Sequence, residues 1–285
     1  MTNFRAYLAA LTVVCVWSGW ITISRYGVQT ELQPADITLL RYLTALIGVS
    51  PLIIRHPWRK FTLFQYLVVG LGVGFPYTML SFYGLKTIKA AQAGVLVNGL
   101  LPIFGALVAW FLFRQRLSGV RYLAIAIIFI ANLVMAGGAT FSTDHILGIV
   151  YLLAAAVFYT GHMTGIRHWN FTWREVLVTV PVVNTLLFLP LMAFFPSALT
   201  TAPIREILIQ SFYQGIVVNI LALMCVAYAI SRLGTITVSL FMSFVPVSTA
   251  LLAWLLLQER LNGNEIAGII GCSLGLVLYS RGRWW

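Results

Sequence analysis

Ten stretches of this chain run close to twenty residues with hardly a charge in them: roughly 6–25, 35–54, 62–84, 88–113, 120–139, 147–167, 175–195, 206–230, 234–257 and 264–281. About twenty helical residues at ~1.5 Å each cover ~30 Å, the thickness of a bilayer's hydrocarbon core. No water reaches the peptide groups there, so a spanning segment must satisfy them internally or close into a barrel. Barrel strands would be shorter and would alternate apolar with polar residues, which these runs do not. With 60% hydrophobic and 9% charged residues, the chain also has more apolar surface than a water-soluble core could bury. The expected fold is an all-α membrane protein with ten transmembrane helices and short connections. Arg5 precedes the first run as in a secretory leader, but no A-x-A-like site closes it and it is long for a leader. It reads as a span of the mature protein.

The charges give the orientation. Of 18 Lys and Arg, twelve fall on the face with both termini (Arg5, Arg55, Arg59, Lys60, Arg114, Arg116, Arg121, Arg167, Arg174, Arg232, Arg281, Arg283) and five on the other (Arg25, Lys86, Lys89, Arg205, Arg260). Cations collect on the cytoplasmic side, so both termini are expected to be cytoplasmic, at the cell inner membrane. The net charge of +11 therefore marks a membrane face and not a nucleic-acid site. Cys15, Cys225 and Cys272 lie in apolar runs without metal-ligand spacing and read as small core residues.

One stretch occurs twice. PIFGALVAWFLFRQRLSG (102–119) and PVSTALLAWLLLQERLNG (246–263) share nine identities in eighteen ungapped positions, among them Pro102 with Pro246, Trp110 with Trp254, and the terminal R-L-x-G. Shared apolarity alone would not align a helix breaker, a Trp and a charged terminus. The chain thus divides into two five-span repeats, 1–140 and 141–285. Because five is odd, the second must enter the membrane from the opposite side, giving two inverted five-helix repeats, a plan recurrent among secondary transporters.

These features, with VWSGW (Val16 to Trp20) in the first run, Arg41 of LLRYL in the second and E-R-L-x-G (Glu259 to Gly263), resemble the EamA type of the drug/metabolite transporter superfamily. The resemblance covers nearly the whole chain and implies a carrier of small organic solutes, with amino acids and related metabolites leading and export the usual direction. One position departs from the family pattern: the fourth run ends in Gln115 where a Glu is usual.

Polar groups at mid-span depth are the candidate site. Arg41 lies about two turns into its span, able either to snorkel outward or to meet a substrate carboxylate. Trp17, Tyr77, Tyr83, Asn98, Tyr159, His162, Asn219 and Ser243 complete the expected substrate-binding set. For Asn98 and Asn219 an interhelical hydrogen bond is the alternative, and for His162 a proton-carrying role. Pro102 and Pro246 would each free a carbonyl one turn back, at Asn98 and Met242, and are expected to gate by kinking. Gly70, Gly72, Gly74 and Pro76 in the third run suit a cavity wall or close packing equally.

Several function classes fall away. No Asp or Glu sits mid-span, so a carboxylate proton relay is missing and facilitated diffusion or exchange is favoured. Neither a phosphate-binding loop nor a nucleophile with a base is present, and His56, His145 and His168 are expected in loops without ligand spacing, so no enzyme activity and no cofactor or metal is expected. The expected partners are a small metabolite and the lipid bilayer. Both repeats lie in one chain, so a homodimer is compatible but not required. Alternatives left open are a carrier of nucleotide-sugar or phosphorylated metabolites and a membrane scaffold that moves nothing.

Overall fold

The computed structural model describes residues 2–114, 117–136 and 142–281. Gln115, Arg116 and Arg283 lie outside the described residues, as does the 140/141 boundary between repeats. Among the described residues twelve α-helices succeed one another: α1 (Thr2–Gly27), α2 (Pro34–Ile53), α3 (Leu63–Gly72), α4 (Phe75–Thr87), α5 (Ala90–Phe113), α6 (Gly119–Ala136), α7 (Thr143–His168), α8 (Trp173–Leu191), α9 (Ile204–Gln210), α10 (Ala222–Met242, broken at Gly234, where φ is 79°), α11 (Val245–Leu257) and α12 (Gly263–Arg281). A π-helix, Ser211–Leu221, joins α9 to α10. Nine segments among the described residues are long and apolar enough to cross a membrane, and Gly119–Met135 is a shorter apolar helix, so the protein is a multi-pass membrane protein.

Capping chemistry fixes where the helices begin. Thr62 and Gln65 cap α3 reciprocally, Thr172 and Glu175 do so for α8, and Asn262 with Glu265 for α12, each pair satisfying two otherwise orphaned N–H groups. α5 and α11 end alike: Arg114 (φ 51°) and Gln258 (φ 55°), at equivalent positions of the duplication, both adopt the left-handed cap conformation.

Helix pairings are reciprocal between halves. α6 packs on α12 and α5 on α11; α1 packs against α10 and α11 as α7 does against α4 and α5. Close approach of α6 and α12 depends on glycine, since a Cβ at Gly268 would stand 2.9 Å from the Ala131 carbonyl oxygen. Trp110 and Trp254 are half exposed near the ends of α5 and α11, where Trp suits the membrane interface. Cys272 is buried but Cys15 is exposed, because its position on α1 turns it away from the bundle, so Cys15 is not the core residue expected. His145 and His168 occupy the end turns of α7, not loops.

The third span is broken, not merely lined with glycine. α3 stops at Gly72 and α4 starts at Phe75, and the backbone groups released there are taken by side chains of three other spans. Tyr42 Oη donates to the Val73 carbonyl (2.7 Å), His162 Nδ1 to the Val69 carbonyl (2.6 Å) and Asn184 Nδ2 to the Gly70 carbonyl (2.8 Å), while Asn184 Oδ1 accepts from Phe75 N–H (2.7 Å). A carbonyl only accepts, so the His162 proton sits on Nδ1. In the ninth span the chain is interrupted at Ser243–Phe244, and Pro246 falls in the first turn of α11. The mid-helix kink expected at Pro246 is therefore replaced by a helix start, where a missing N–H costs nothing, whereas Pro102 lies inside the unbroken α5.

Candidate functional site

A cavity of about 150 Å³ lies among α1, α2, the α3–α4 junction, α5, α7, α8, the π-helix and α11. That is the scale of a hole that holds one six-membered ring. Trp17, Arg41, Tyr77, Asn98, Tyr159, His162 and Asn219 are on its wall, with Trp20, Ile21 and Val97. Tyr83 and Ser243 are not: Tyr83 packs on Tyr151 (5.8 Å between centroids), and Ser243, nearly buried, donates to the Ser239 carbonyl. Tyr83 lies nearly two turns beyond Tyr77, beneath Lys86 near the end of α4, and Ser243 sits in the break before α11. Pro102 and Pro246 stand beside the wall residues Leu101 and Val245 without lining it.

Three rings continue one another across the wall. Trp20 stacks on Tyr77 (5.7 Å, 18° between planes), and Tyr77 meets Tyr159 at 5.6 Å. Arg41 lies over Trp20 and Tyr42, at 5.8 and 5.7 Å from their ring centres. Its Nη1 donates to Gln214 Oε1 (2.8 Å), which also accepts from Trp20 Nε1 (3.0 Å). Arg41 is 3% exposed, so it does not snorkel, and its Nε is buried with no hydrogen-bond partner. Among the described residues the ion pairs join Arg25 to Glu259, Lys60 to Glu175 and Lys89 to Glu265, and none involves Arg41.

Asn98 and Asn219 do not bridge helices. Each donates to its own turn, Asn98 to the Gly94 carbonyl (2.7 Å) and Asn219 to the Gln214 carbonyl (2.9 Å). Asn184 does bridge helices, and sequence reasoning passed over it although it sits in an equally apolar run. Gln214 and Gln210 were also missed. Both are fully buried, and with Ser24 they form a hydrogen-bonded layer on one side of the cavity: Gln214 Nε2 donates to Ser24 Oγ (2.9 Å) and Gln210 Oε1, and Gln210 Nε2 to the Ile23 carbonyl. Their signal was a pair of amides one turn apart in an apolar span.

Beyond that layer the bundle end is tied shut. Arg25 at the end of α1 binds Glu259 Oε1 (3.1 Å) after α11, and the Leu85 and Lys86 carbonyls of α4. Glu259 Oε2 accepts from Ala90 N–H at the start of α5 (2.9 Å), and Tyr26 donates to Glu206 (2.7 Å). Lys89 reaches Glu265 and the Arg260 carbonyl. At the opposite end Lys60 pairs with Glu175 (2.6 Å) and Phe61 stacks on Phe171.

Comparison with known proteins agrees with this architecture. The chain is 25% identical over 291 residues, 97% of its own length and 95% of the relative's, to an Escherichia coli (strain K12) protein named "Probable amino-acid metabolite efflux pump". It is 24% identical to the uncharacterized transporter YdfC of Bacillus subtilis (strain 168), covering 82% and 78% of the two chains. An uncharacterized transporter of Archaeoglobus fulgidus matches at 24% over 94% and 95%. A solved crystal structure superposes with a TM-score of 0.64 over 96% of this chain and 95% of that one, at 18% identity, a likeness of fold. The model of the EamA-like transporter family matches twice, over residues 4–137 and 146–281, so the chain belongs to the EamA-like transporter family.

Proposed function

We propose that this protein is a secondary transporter of small organic metabolites, amino acids and related compounds first, which it exports across the cell inner membrane by alternating access. The observation that carries the reading is one aromatic and polar cavity built by both halves of the chain, with a buried amide layer and an ionic seal on one side of it. Such a site serves a carrier if the seal can part while the other side closes.

The two halves, 1–140 and 141–285, are read as inverted five-helix repeats of a ten-span bundle. Reciprocal helix pairings, left-handed caps at equivalent positions and a family model that matches each half support this. Both termini are assigned to the cytoplasm because cations favour their face, which makes the Arg25 end external. The E. coli relative is named a probable amino-acid metabolite efflux pump, and ring stacking on Trp20, Tyr77 and Tyr159 suits solutes with apolar or aromatic side chains. A nucleotide-sugar carrier fits less well, since among the described residues Arg41 is the one cation on a wall around about 150 Å³.

Solute counterflow in proteoliposomes, with a panel of labelled amino acids and no imposed ion gradient, tests the reading. Accumulation of one class is expected. Silence across the panel from folded protein, followed by silence with phosphorylated metabolites, would leave a non-transporting scaffold as the better account.

A further inference from the structure

Among the described residues the charges are segregated, and no carboxylate is on the cavity wall. The chain has seven Asp and Glu. Asp36 is held by Ser197 and the Gln33 and Ala198 N–H groups, Glu206 by Tyr26, Glu259 by Arg25 and Ala90, and Glu265 by Lys89, Gln92 and Asn262, all at the Arg25 end. Glu175 is held by Lys60 and Thr172 at the other end. None of the seven is on the cavity wall. Arg41 is there, 3% exposed, with a neutral amide as its hydrogen-bond acceptor and an unpartnered Nε. The other polar groups on the wall carry no negative charge. Asn98 and Asn219 spend amide N–H groups on their own helices, which leaves their oxygens as acceptors, and His162 commits its Nδ1 proton to Val69.

A guanidinium buried among neutral groups is incomplete until something supplies a negative charge. We propose that the cavity is an anion site whose cargo is an organic monocarboxylate with a ring-sized apolar body and a neutral donor such as a hydroxyl, preferred over the zwitterion of the same shape. This rests on the carrier reading above and, among its amino acids and related compounds, places the hydroxy acid ahead of the amino acid. A monoanion bound at Arg41 leaves the loaded site neutral. A zwitterion leaves it with a net positive charge and an ammonium group that only amide oxygens and ring faces can meet. A hydroxyl asks no more of those oxygens than one hydrogen bond.

Titration calorimetry on the purified full chain at pH 7.5 with 3-phenyllactate, phenylalanine and 2-phenylethylamine separates the possibilities. Phenyllactate and phenylalanine differ only in hydroxyl for ammonium, so fit to the cavity cancels. Phenyllactate is expected to bind about tenfold tighter than phenylalanine, with phenylethylamine weakest. Arg41→Lys should keep that order at lower affinity, because the charge stays and the fork is lost. Arg41→Gln should bring phenyllactate and phenylalanine to within about threefold of each other. Phenylalanine binding as well as or better than phenyllactate, phenylethylamine binding best, or no binding of any of the three would overturn the proposal, as would an unchanged order in folded Arg41→Gln. If that variant does not fold, the wild-type order and Arg41→Lys decide. Counterflow of phenylalanine with phenyllactate inert would leave the carrier standing and remove the anion preference, while silence in both assays would remove both.

Discussion

Replacing Arg25 by Gln should open the sealed end. The guanidinium joins three helix ends at once, through Glu259 Oε1 at 3.1 Å, the Lys86 carbonyl at 2.8 Å and the Leu85 carbonyl. The paired side chains are only 13% and 10% exposed, so water screens the pair less than it would at the surface. Charge-assisted bonds of this kind contribute about 1.5–3 kcal/mol each, and glutamine can re-form one of them. With two of the three bonds lost, a net loss of about 3–6 kcal/mol from the sealed state alone raises the open population about 100-fold or more. The assay uses Ile21→Cys, on the cavity wall one turn before Arg25, in a chain with Cys15, Cys225 and Cys272 replaced by alanine. A membrane-impermeant maleimide added from the Arg25 side should label it about tenfold faster or more in Arg25→Gln, and similarly in Glu259→Gln. The double variant should be little faster than either single one, because both remove the same bond. Equal labelling rates in wild type and both single variants would refute the reasoning.

Three further outcomes can be checked directly. Asn184→Ala removes three hydrogen bonds and strands the Gly70 carbonyl and Phe75 N–H, so mixed-micelle unfolding should show a loss of about 2–4 kcal/mol; a change below about 0.5 kcal/mol would count against the stitched break. Gly72→Ala would put a Cβ 2.7 Å from the His162 nitrogen and 2.8 Å from the Phe158 oxygen, both backbone, and should cost about 1–3 kcal/mol in the same measurement. His56, in the loop after α2, is held by burial below the ordinary imidazole range, so the unfolded chain takes up the proton first. Its contribution is complete at neutral pH and is lost as pH falls below about 6.5, and melting temperatures between pH 7.5 and 5 should drop less in His56→Asn than in wild type.

Depth could be read from the sequence, but direction around the helix could not. A long apolar run announces a span, and a polar residue near its middle announces a requirement for a partner, which is how Trp17, Arg41, Tyr77, Asn98, Tyr159, His162 and Asn219 were chosen, all of them on the cavity wall. Tyr83 and Ser243 carried the same signal and are not on that wall. In a water-soluble helix the polar face would have separated the two groups, but here lipid and neighbouring helices are both apolar, so periodicity carries little information. Asn184 sent the same signal as Asn98, and only its partners, over a hundred residues away, distinguish a latch from a wall residue. The duplication located the equivalent ends at Arg114 and Gln258, yet it could not foresee that Pro102 and Pro246 would sit in different local structures. The reciprocal caps were legible in principle from T-L-F-Q, T-W-R-E and N-G-N-E, each a capping pair ahead of an apolar run.

The broken third span also bears on how the chain is made. The Val69 carbonyl finds its partner 93 residues later and the Gly70 carbonyl 114 residues later, in spans that leave the ribosome well after this one has reached the membrane. Until they arrive, two peptide groups at mid-membrane depth need water or the insertion machinery to satisfy them. The first half is therefore unfinished when its last residue is synthesised, and the second half completes it. The halves depend on each other for assembly, and the order of translation is built into the bonds of a single break.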